Sequence, residues 1–214
     1  MTKKSCVLIQ ANGNNERLGK FFSLPKHELY YNDQRIIDHI FNECEKIGVD
    51  IHICVREGST IVFDSRKHKV IKCKPTKNRI DTLDQCFHFL KNYHYVTILD
   101  SDVLIKYEVL KHLSEDSMAI GPYKNDGKKY GFIKVDPLFN FISGNEKMSE
   151  ESHIAIGAYS VNSKNFIKYL NTKKGRENES LLNYYNTKSP SLVFSDSHVC
   201  MGDINSYMES IWSS

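Results

Sequence analysis

Short apolar runs alternate, in the first half of this chain, with segments whose apolar residues recur at helical spacing. The runs at 6–9, 51–55 and 95–99 predict buried strands, whereas the segments 36–47 and 82–90 predict amphipathic helices. Strands that are joined through helices usually lie side by side in one direction. The alternation therefore predicts an α/β fold with a mostly parallel sheet.

The second half has a looser pattern. Short strands are predicted at 118–120, 131–135, 154–161 and 191–194, and helices at 164–170, at 179–185 and from 204 onward. Close spacing of the strands favours some antiparallel pairing, so the predicted sheet is mixed. No repeat, low-complexity tract or linker divides the sequence, and we expect one three-layer α/β/α domain over residues 1–214.

The composition narrows the classes of partner. The chain has 214 residues, 29 Lys+Arg against 26 Asp+Glu, a net charge of +3 and 40% hydrophobic residues. These values exclude a disordered or collagen-like chain, and no apolar run is long enough for a membrane span. The small positive charge is spread among acidic residues, so it indicates no nucleic-acid or membrane partner, but it is compatible with a small anionic ligand.

The cysteines form no motif. No CxxC pair and no signal peptide is present, which favours reduced thiols in the cytoplasm. We expect them to be small buried hydrophobic residues and assign no metal to them. They are Cys6, Cys44, Cys54, Cys73, Cys86 and Cys200.

Polar residues follow the first predicted strand, at an edge where ligands of α/β proteins bind. Small and turn-forming residues let backbone N–H groups approach phosphate oxygens, and two nearby cations, Arg17 and Lys26, suit a polyphosphate. A plain surface turn is the alternative. The candidate loop residues are Gln10, Ala11, Asn12, Gly13 and Asn14.

Carboxylates follow two other apolar runs. Asp100-Ser101-Asp102 ends the strand at 95–99, and Asp203 follows a short run near the C-terminus. One or two carboxylates together with substrate phosphates form a usual Mg²⁺ site. Helix N-capping and turn formation are the competing interpretations for these aspartates. His198 is the one histidine close enough in sequence to Asp203 to consider as a further ligand.

The order of these motifs resembles that of the sugar-phosphate nucleotidyltransferases, including MobA-like nucleotidyltransferases. The stretch 9–18 aligns with the family's glycine-rich loop that ends in Arg-Leu, and Pro25-Lys26 matches its Pro-Lys. Ser101-Asp102 corresponds to its Gly-Asp. Further matches in the same order are Tyr130-Gly131, Glu146-Lys147, Gly157-Ala158-Tyr159 and Asp203. The loop here keeps one glycine where the family usually has several, and Ser101 replaces a glycine.

The resemblance implies a single Rossmann-like domain that transfers a nucleoside monophosphate from a nucleoside triphosphate to a phosphorylated sugar or small phosphorylated alcohol. It implies catalytic roles for Arg17, Lys26 and Asp102, with Mg²⁺ held by Asp102 and Asp203. It leaves open whether Asp100 or Asp102 binds the metal. The implied acceptor-binding residues are Tyr130, Gly131, Glu146, Lys147 and Gly157.

The nucleobase is predicted only weakly. The segment 78–83 lies where the family contacts the base, and it is similar to the Arg-x-Asp-Ser stretch of cytidylyltransferases of the isoprenoid pathway. This similarity favours CTP, with Arg79, Asp81 and Thr82 as nucleotide-binding residues beside Ser101. The alternative is that Asp81 or Thr82 caps the following helix. By family habit the pathway would be surface-polysaccharide biosynthesis.

Two other functions remain open. Metal-dependent glycosyltransferases that use nucleotide sugars share this type of sheet and place Asp-x-Asp after a central strand, and His198 would then complete the metal site. Arg17 and Pro25-Lys26 count against that alternative, because they suit a triphosphate. The second alternative is a degenerate, non-catalytic nucleotide-binding subunit, which the loss of loop glycines suggests.

Overall fold

The fold is seen in a computed structural model, which describes residues 4–13, 22, 24–59, 68–123, 131–145, 153–177, 180–202 and 204–212. The strands are β1 (Ser5–Ala11), β2 (Tyr30–Tyr31), β3 (Gln34–Arg35), β4 (Asp50–Arg56), β5 (Lys69–Cys73), β6 (Tyr95–Asp100), β7 (Val103–Ile105), β8 (Ser117–Pro122), β9 (Gly131–Val135), β10 (Phe141–Asn145), β11 (His153–Asn162), β12 (Ser191–Phe194) and β13 (His198–Cys200). The helices are α1 (Ile36–Glu45), α2 (Arg79–Leu90), α3 (Tyr107–Leu110), α4 (Ser163–Leu170), α5 (Lys173–Glu177), α6 (Leu182–Tyr185) and α7 (Ile204–Trp212), with a 3₁₀ turn at Lys26–Glu28.

One large sheet organises the molecule. In the described residues it has nine strands, and its main path runs β10-β9-β11-β6-β1-β4-β5, with β8 and β12 joined to β11 off this path. Strands β6, β1, β4 and β5 are parallel, and helices in the connections from β1 to β4 and from β5 to β6 bring the chain back to the same end. Strand β11 is antiparallel to β6, β8 and β9, and β9 is antiparallel to β10. The predicted mixed sheet with parallel central strands is confirmed.

Strand β11 changes partners halfway along its length. Its first residues pair with β9, whereas its second half pairs with β6, and its pairing with β8 has an irregularity between Ala155 and Tyr159. Gly157 lies in this irregular stretch with φ at +82°. The left-handed backbone is easily reached by glycine, so this residue permits the bend that joins the two parts of the sheet.

The two faces of the sheet bury separate cores, because successive residues of a strand point to opposite faces. Cys6 and Leu8 of β1 belong to the core beneath α2, α4 and α6, whereas Val7 and Ile9 belong to the core beneath α1 and α3. Helices therefore cover both faces, as the predicted three-layer α/β/α arrangement requires. None of the described helices is long and apolar enough to cross a membrane.

The local predictions hold for the long elements and fail at several boundaries. Helix α2 begins at Arg79, and the side chain of Asn78 caps it by accepting a 2.9 Å hydrogen bond from the backbone N–H of Asp81. The expectation that Asp81 or Thr82 caps this helix is therefore wrong: both lie within its first turn. The helix predicted at 179–185 is present only as the short α6, and the sequence pattern did not indicate β5, β7 or β10.

Gly157→Ala tests the bend in β11. We expect it to lower the free energy of unfolding by about 1–2 kcal/mol through left-handed strain and by roughly 1–3 kcal/mol more through crowding. The crowding arises because an added Cβ would lie 3.0 Å from Asp100 Oδ2 and 3.1 Å from Val103 Cγ2. The measurement is urea unfolding. Gly58→Ala is the matched control, since Gly58 has the same φ of +82° and no atom within 4 Å of an added Cβ. Equal losses in the two variants would contradict the crowding.

Candidate active site

The carboxyl ends of the central parallel strands bring the candidate residues together. Strands β1 and β6 pair in parallel with Gln10 opposite Asp100. The segments that follow them, which begin with Asn12 and Ser101, therefore leave the sheet at the same edge. Residues 90 positions apart in the chain become neighbours in this way because the register of two strands sets where both loops start.

Arg79 ties these two strands to helix α2. Its Nε donates a 2.6 Å hydrogen bond to Gln10 Oε1, and its Nη2 lies 2.7 Å from Asp100 Oδ1 in an ion pair. Its guanidinium carbon lies 4.8 Å from the centre of the Tyr159 ring. Burial alone would lower the pKa of Arg79, but the charges of Asp100 and Asp102 and the contact with the Tyr159 hydroxyl together outweigh burial and raise the pKa. Arg79 is thus a fixed cation at the edge of the sheet.

A second contact joins the loop after β1 to α2. Asn12 Nδ2 donates a 2.7 Å hydrogen bond to Thr82 Oγ1, which lies 2.7 Å from Thr76 Oγ1. Asn12 and Thr82 are both predicted nucleotide-binding residues, and the structure places them in direct contact. The amide of Asn12 is held in one orientation, which suits a loop whose backbone approaches a ligand.

Lys26 and Asp102 form the other charged pair of the site. Their side chains, 76 residues apart in the chain, meet in an ion pair between Lys26 Nζ and Asp102 Oδ2. The Asp102 side chain is 12% exposed and that of Lys26 is 27% exposed. Two of the three predicted catalytic residues therefore lie at one partly buried point beside the carboxyl end of β6.

The turn that carries Lys26 is anchored to the start of α1. Glu28 forms an ion pair with Arg35 at 3.1 Å, and Arg35 forms a second ion pair with Asp38 at 2.8 Å. His27 is buried, with a fractional exposure of 3%. Desolvation and the nearby charge of Lys26 lower the pKa of His27 to about 4, so the ring is neutral at pH 7. A neutral, packed His27 fixes the backbone from which Lys26 extends.

The two aspartates after β6 have different surroundings. Asp100 pairs with Arg79 and crowds Gly157, whereas Asp102 contacts Lys26 and lies beside Gly202. A Cβ added to Gly202 would come within 2.8 Å of Asp102 Oδ2. The backbone of residues 201–202 therefore passes close to the Asp102 carboxylate, and Met201 N–H donates to the Asp102 carbonyl at 2.8 Å.

This arrangement fits a hard divalent cation at Asp102. Carboxylate oxygens are suitable ligands for Mg²⁺, and Asp102 would offer its carboxylate to the ion once Lys26 pairs with a substrate phosphate instead. The glycine at 202 leaves room beside that carboxylate. Asp203, the other predicted ligand, lies outside the described residues, although its neighbour Gly202 is at the carboxylate.

His198 occupies a different place. It pairs with Ile105 in the β7–β13 ladder, three residues along from Asp102, which corresponds to about 10 Å of strand. Its ring lies against Gly121 instead, with Cε1 3.0 Å from the position of an added Cβ. The structure therefore does not bring His198 to Asp102.

The remaining predicted residues divide into two groups. Ser101 is buried directly between the two aspartates, Gly13 has open space where a Cβ would lie, and Gly131 packs against Leu182 at the start of β9. Ala11 is buried at the end of β1. The other group lies outside the described residues and stays a set of predictions: Asn14, Arg17, Tyr130, Glu146, Lys147 and Asp203.

Sequence reasoning gave no role to three residues that shape the site. Tyr159 supplies the ring beneath Arg79, Thr76 contacts Thr82, and Asn78 caps α2. Asn78 carried a usable signal, because an asparagine just before an amphipathic segment is a common N-cap. Tyr159 was named only as part of the Gly157-Ala158-Tyr159 match, and no sequence pattern marked Thr76.

The fold is similar to those of several solved nucleotidyltransferases. A UDP-glucose pyrophosphorylase complexed with UDP-glucose aligns with a TM-score of 0.79 at 18% identity over 98% of this chain and 97% of that one. The inositol-1-phosphate CTP transferase from T. maritima has a TM-score of 0.76 at 12% identity, with 98% and 96% covered. CTP:phosphocholine cytidylyltransferase from Streptococcus pneumoniae has a TM-score of 0.76 at 14% identity, with 96% and 97% covered.

No protein-family model matches the sequence, and no curated protein matches it either. The structural similarity extends over nearly the whole length of both chains in each comparison. The chain therefore has the fold of the sugar-phosphate nucleotidyltransferases and cytidylyltransferases, as the order of its motifs indicated.

Asp100→Asn tests the structural role of that aspartate. We expect a loss of about 1–2 kcal/mol in the free energy of unfolding, because the Arg79 cation keeps its desolvation cost and loses its counter-charge; partial exposure of the pair limits the effect. Chemical denaturation measures it. Asp84→Asn, the same change at an exposed position of α2, should be near neutral. An unchanged stability of Asp100→Asn would show that the pair contributes nothing.

Titration of His27 should make the fold sensitive to mild acid. In the unfolded chain, His27 binds a proton as the pH falls below about 6.5. In the folded protein, the buried ring binds that proton only near its lowered pKa of about 4. Stability should therefore fall by about 1.4 kcal/mol per pH unit across this window. His27→Gln should remove that part of the slope in urea unfolding between pH 6.5 and 4.5, whereas His112→Gln, at an exposed position, is the control. The same slope in His27→Gln and the unmodified chain would contradict the assignment.

Proposed function

We propose that the chain is a nucleotidyltransferase that moves a nucleoside monophosphate from a nucleoside triphosphate to a phosphorylated sugar or small phosphorylated alcohol, with release of pyrophosphate. The observation that carries the proposal is the meeting of Lys26 and Asp102 at the carboxyl edge of β1 and β6. A cation for phosphate oxygens and a carboxylate for a metal then lie side by side where ligands of such sheets bind.

The proposed reaction is a direct displacement. A phosphate oxygen of the acceptor attacks the α-phosphorus of the triphosphate, a new P–O bond forms, and the bond from the α-phosphorus to its bridging oxygen breaks. The electron pair of that bond leaves with pyrophosphate. The attacking oxygen is already ionised near neutral pH, so no general base is needed and positioning and charge neutralisation supply most of the rate.

The chain's own residues take separate roles in this proposal. Lys26 binds and orients the α-phosphate or the acceptor phosphate, and Arg17 neutralises charge on the leaving pyrophosphate. Asp102 and Asp203 would hold Mg²⁺, which supplies charge neutralisation at the phosphates when it is bound. The backbone of Asn12 and Gly13 would approach the phosphates, since Asn12 is held by Thr82.

CTP is the proposed triphosphate. The segment 78–83 resembles the base-contacting stretch of cytidylyltransferases, and Thr82 of this segment is held beside the loop after β1 by its hydrogen bond from Asn12. The inositol-1-phosphate CTP transferase and the CTP:phosphocholine cytidylyltransferase, which have the same fold, use CTP.

The acceptor is proposed to bind near Gly157 and the segments that include Tyr130, Gly131, Glu146 and Lys147. The proposed setting is a polysaccharide pathway in the cytoplasm.

The position of His198 weighs against the glycosyltransferase alternative. A metal site of Asp100, Asp102 and His198 would need the histidine near the two aspartates, but it lies three residues away along the β7–β13 ladder. Asp100 also forms an ion pair with Arg79, which occupies one of the carboxylate oxygens that such a metal site would use. The non-catalytic alternative is addressed directly by experiment.

The deciding experiment measures pyrophosphate release with Mg²⁺, each of the four ribonucleoside triphosphates and dTTP, and a panel of sugar 1-phosphates and small phosphorylated alcohols. We expect release with CTP and one acceptor. Asp102→Asn should lower the rate at least about a hundredfold, because a carboxylate that neutralises developing charge is lost. Asp84→Asn is the matched control and should retain full activity.

Other outcomes would replace the proposal. Hydrolysis of a nucleotide sugar without pyrophosphate release from any pair would indicate a glycosyltransferase. Heat or a thermal shift on titration of a triphosphate with Mg²⁺, without pyrophosphate release with any acceptor, would favour a non-catalytic nucleotide-binding subunit. Full activity of Asp102→Asn would overturn the metal assignment even if pyrophosphate is released.

A further inference from the structure

Three cysteine thiols from separate elements meet in the core away from the candidate active site. Cys54 lies on β4, Cys73 ends β5, and Cys86 lies on α2. Their sulfur atoms all lie within 4.8 Å of one another, with 3.1 Å between Cys54 and Cys73 and 3.6 Å between Cys73 and Cys86. Each residue has a fractional exposure of 0%. The sequence pattern gave no sign of this cluster, because no two of its members are close in the chain.

Strand register explains the closest contact. Cys54 pairs with Ile71 and Arg56 pairs with Cys73, so the two cysteines are two residues apart along neighbouring parallel strands and share one face. Helix α2 packs over that face and adds Cys86. The pair is therefore held together by the sheet itself.

The surroundings favour a neutral product over a bound metal ion. The core around the thiols is apolar and includes Leu8, Ile71 and Leu83. Three thiolates around a monovalent or divalent cation would leave net negative charge in this core, which is costly without a counter-charge. A structural zinc site also needs four ligands, and the group in the described residues has three. A disulfide is uncharged and needs only two of the sulfurs.

We propose that Cys54 and Cys73 are a redox pair that forms an intramolecular disulfide when the protein meets hydrogen peroxide, and that Cys86 is the thiol with which this disulfide exchanges. The Cys73 thiolate attacks one peroxide oxygen and releases hydroxide, which becomes water, to leave a sulfenic acid. The Cys54 sulfur then attacks the Cys73 sulfur and a second water leaves. Two thiols lose two electrons in total, and one peroxide is reduced to two waters.

The hydrogen bonding of the cluster identifies Cys73 as the attacking thiol. Cys54 donates its S–H to Cys73, and this contact, together with Cys86, lowers the pKa of Cys73. The pKa of Cys86 is raised by its contacts with Cys54 and Cys73 and by burial. Among the three thiols, Cys73 is therefore the one most readily ionised, and its thiolate, which is the reactive form, forms when β5 opens to water and not inside the closed apolar core.

Access to the buried thiols comes through the edge of the sheet. Strand β5 is the terminal strand of the main path and pairs only with β4 in the described residues. Edge strands with one partner open locally at lower cost than central strands. Opening of β5 exposes Cys73 to peroxide, and the disulfide then ties β5 to β4. Disulfides of this kind in a reducing compartment are transient, as befits a redox-responsive pair.

The test oxidises the folded, full-length protein with hydrogen peroxide and then blocks the remaining thiols with an alkylating agent in denaturant. Peptide mapping by mass spectrometry should find a peptide that joins residues 54 and 73, with the loss of two hydrogens, and a dithiol should reverse it. The thermal midpoint should rise by roughly 5–10 °C on oxidation, because the bond closes the loop from residue 54 to residue 73 and so restricts the unfolded chain.

Matched variants separate this pair from general thiol oxidation. Cys44→Ala removes a cysteine that is equally buried but lies on α1 in the other core, and it should keep the cross-link and the rise in midpoint. Cys73→Ala should lose both. Cys54→Ala should yield a link between Cys73 and Cys86, because these sulfurs are 3.6 Å apart.

Three results would overturn the proposal. The first is recovery of all three thiols as alkylated cysteines after peroxide treatment of the folded protein. The second is formation of cross-links that involve Cys6, Cys44 or Cys200 instead. The third is one equivalent of a thiophilic metal ion in the purified protein that Cys73→Ala loses. The last result would identify the cluster as a metal site. None of these readouts depends on nucleotidyl transfer, so the outcome is independent of the proposed function.

Discussion

Parallel pairing of β1 with β4 and β6 is the constraint on which the site depends. The register that sets Gln10 opposite Asp100 also fixes where the two following segments leave the sheet. Arg79 then bridges the two strand ends from the start of α2, so the helix, the first loop and the acidic segment hold one relative position. A shift of one strand by one residue would turn its side chain to the opposite face of the sheet and separate that side chain from Arg79 and from the other strand end.

Most elements of the fold were predicted from the spacing of apolar residues, and most of the elements that were not predicted have a local explanation. The buried strands β1, β4 and β6 are continuous apolar runs and helix α1 is apolar on one face, so the pattern alone locates them. Strand β5 was missed because only Ile71 and Cys73 are buried in it, as expected for a strand at the edge. The partner change in β11 depends on a left-handed Gly157, which no periodicity records.

The candidate site was predictable where a residue type and its position on a strand end were sufficient. Asn12, Lys26 and Asp102 were identified in that way and Thr82 from the resemblance of segment 78–83, and the structure brings Lys26 to Asp102 and Asn12 to Thr82. The choice between Asp100 and Asp102 was not predictable, because both lie at the end of the same strand, two residues apart. It depends on Arg79 and Lys26, which arrive from other elements. The cysteine cluster was the least predictable feature, because β4, β5 and α2 each contribute one of its three residues.

The division of charges among these side chains bears on how the proposed reaction would be controlled. Arg79 and Asp100 neutralise each other within the scaffold, so neither needs a substrate to offset its desolvation. Lys26 and Asp102 form a second pair at the point where the proposal places the phosphates. Binding a metal-complexed triphosphate there exchanges one ion pair for two, lysine with phosphate and aspartate with metal, and each partner remains compensated. The metal ion alone would pair with Asp102 and leave Lys26 buried without a counter-charge, and the triphosphate alone would do the reverse. The site therefore favours binding of the metal ion and the triphosphate together over binding of either one separately.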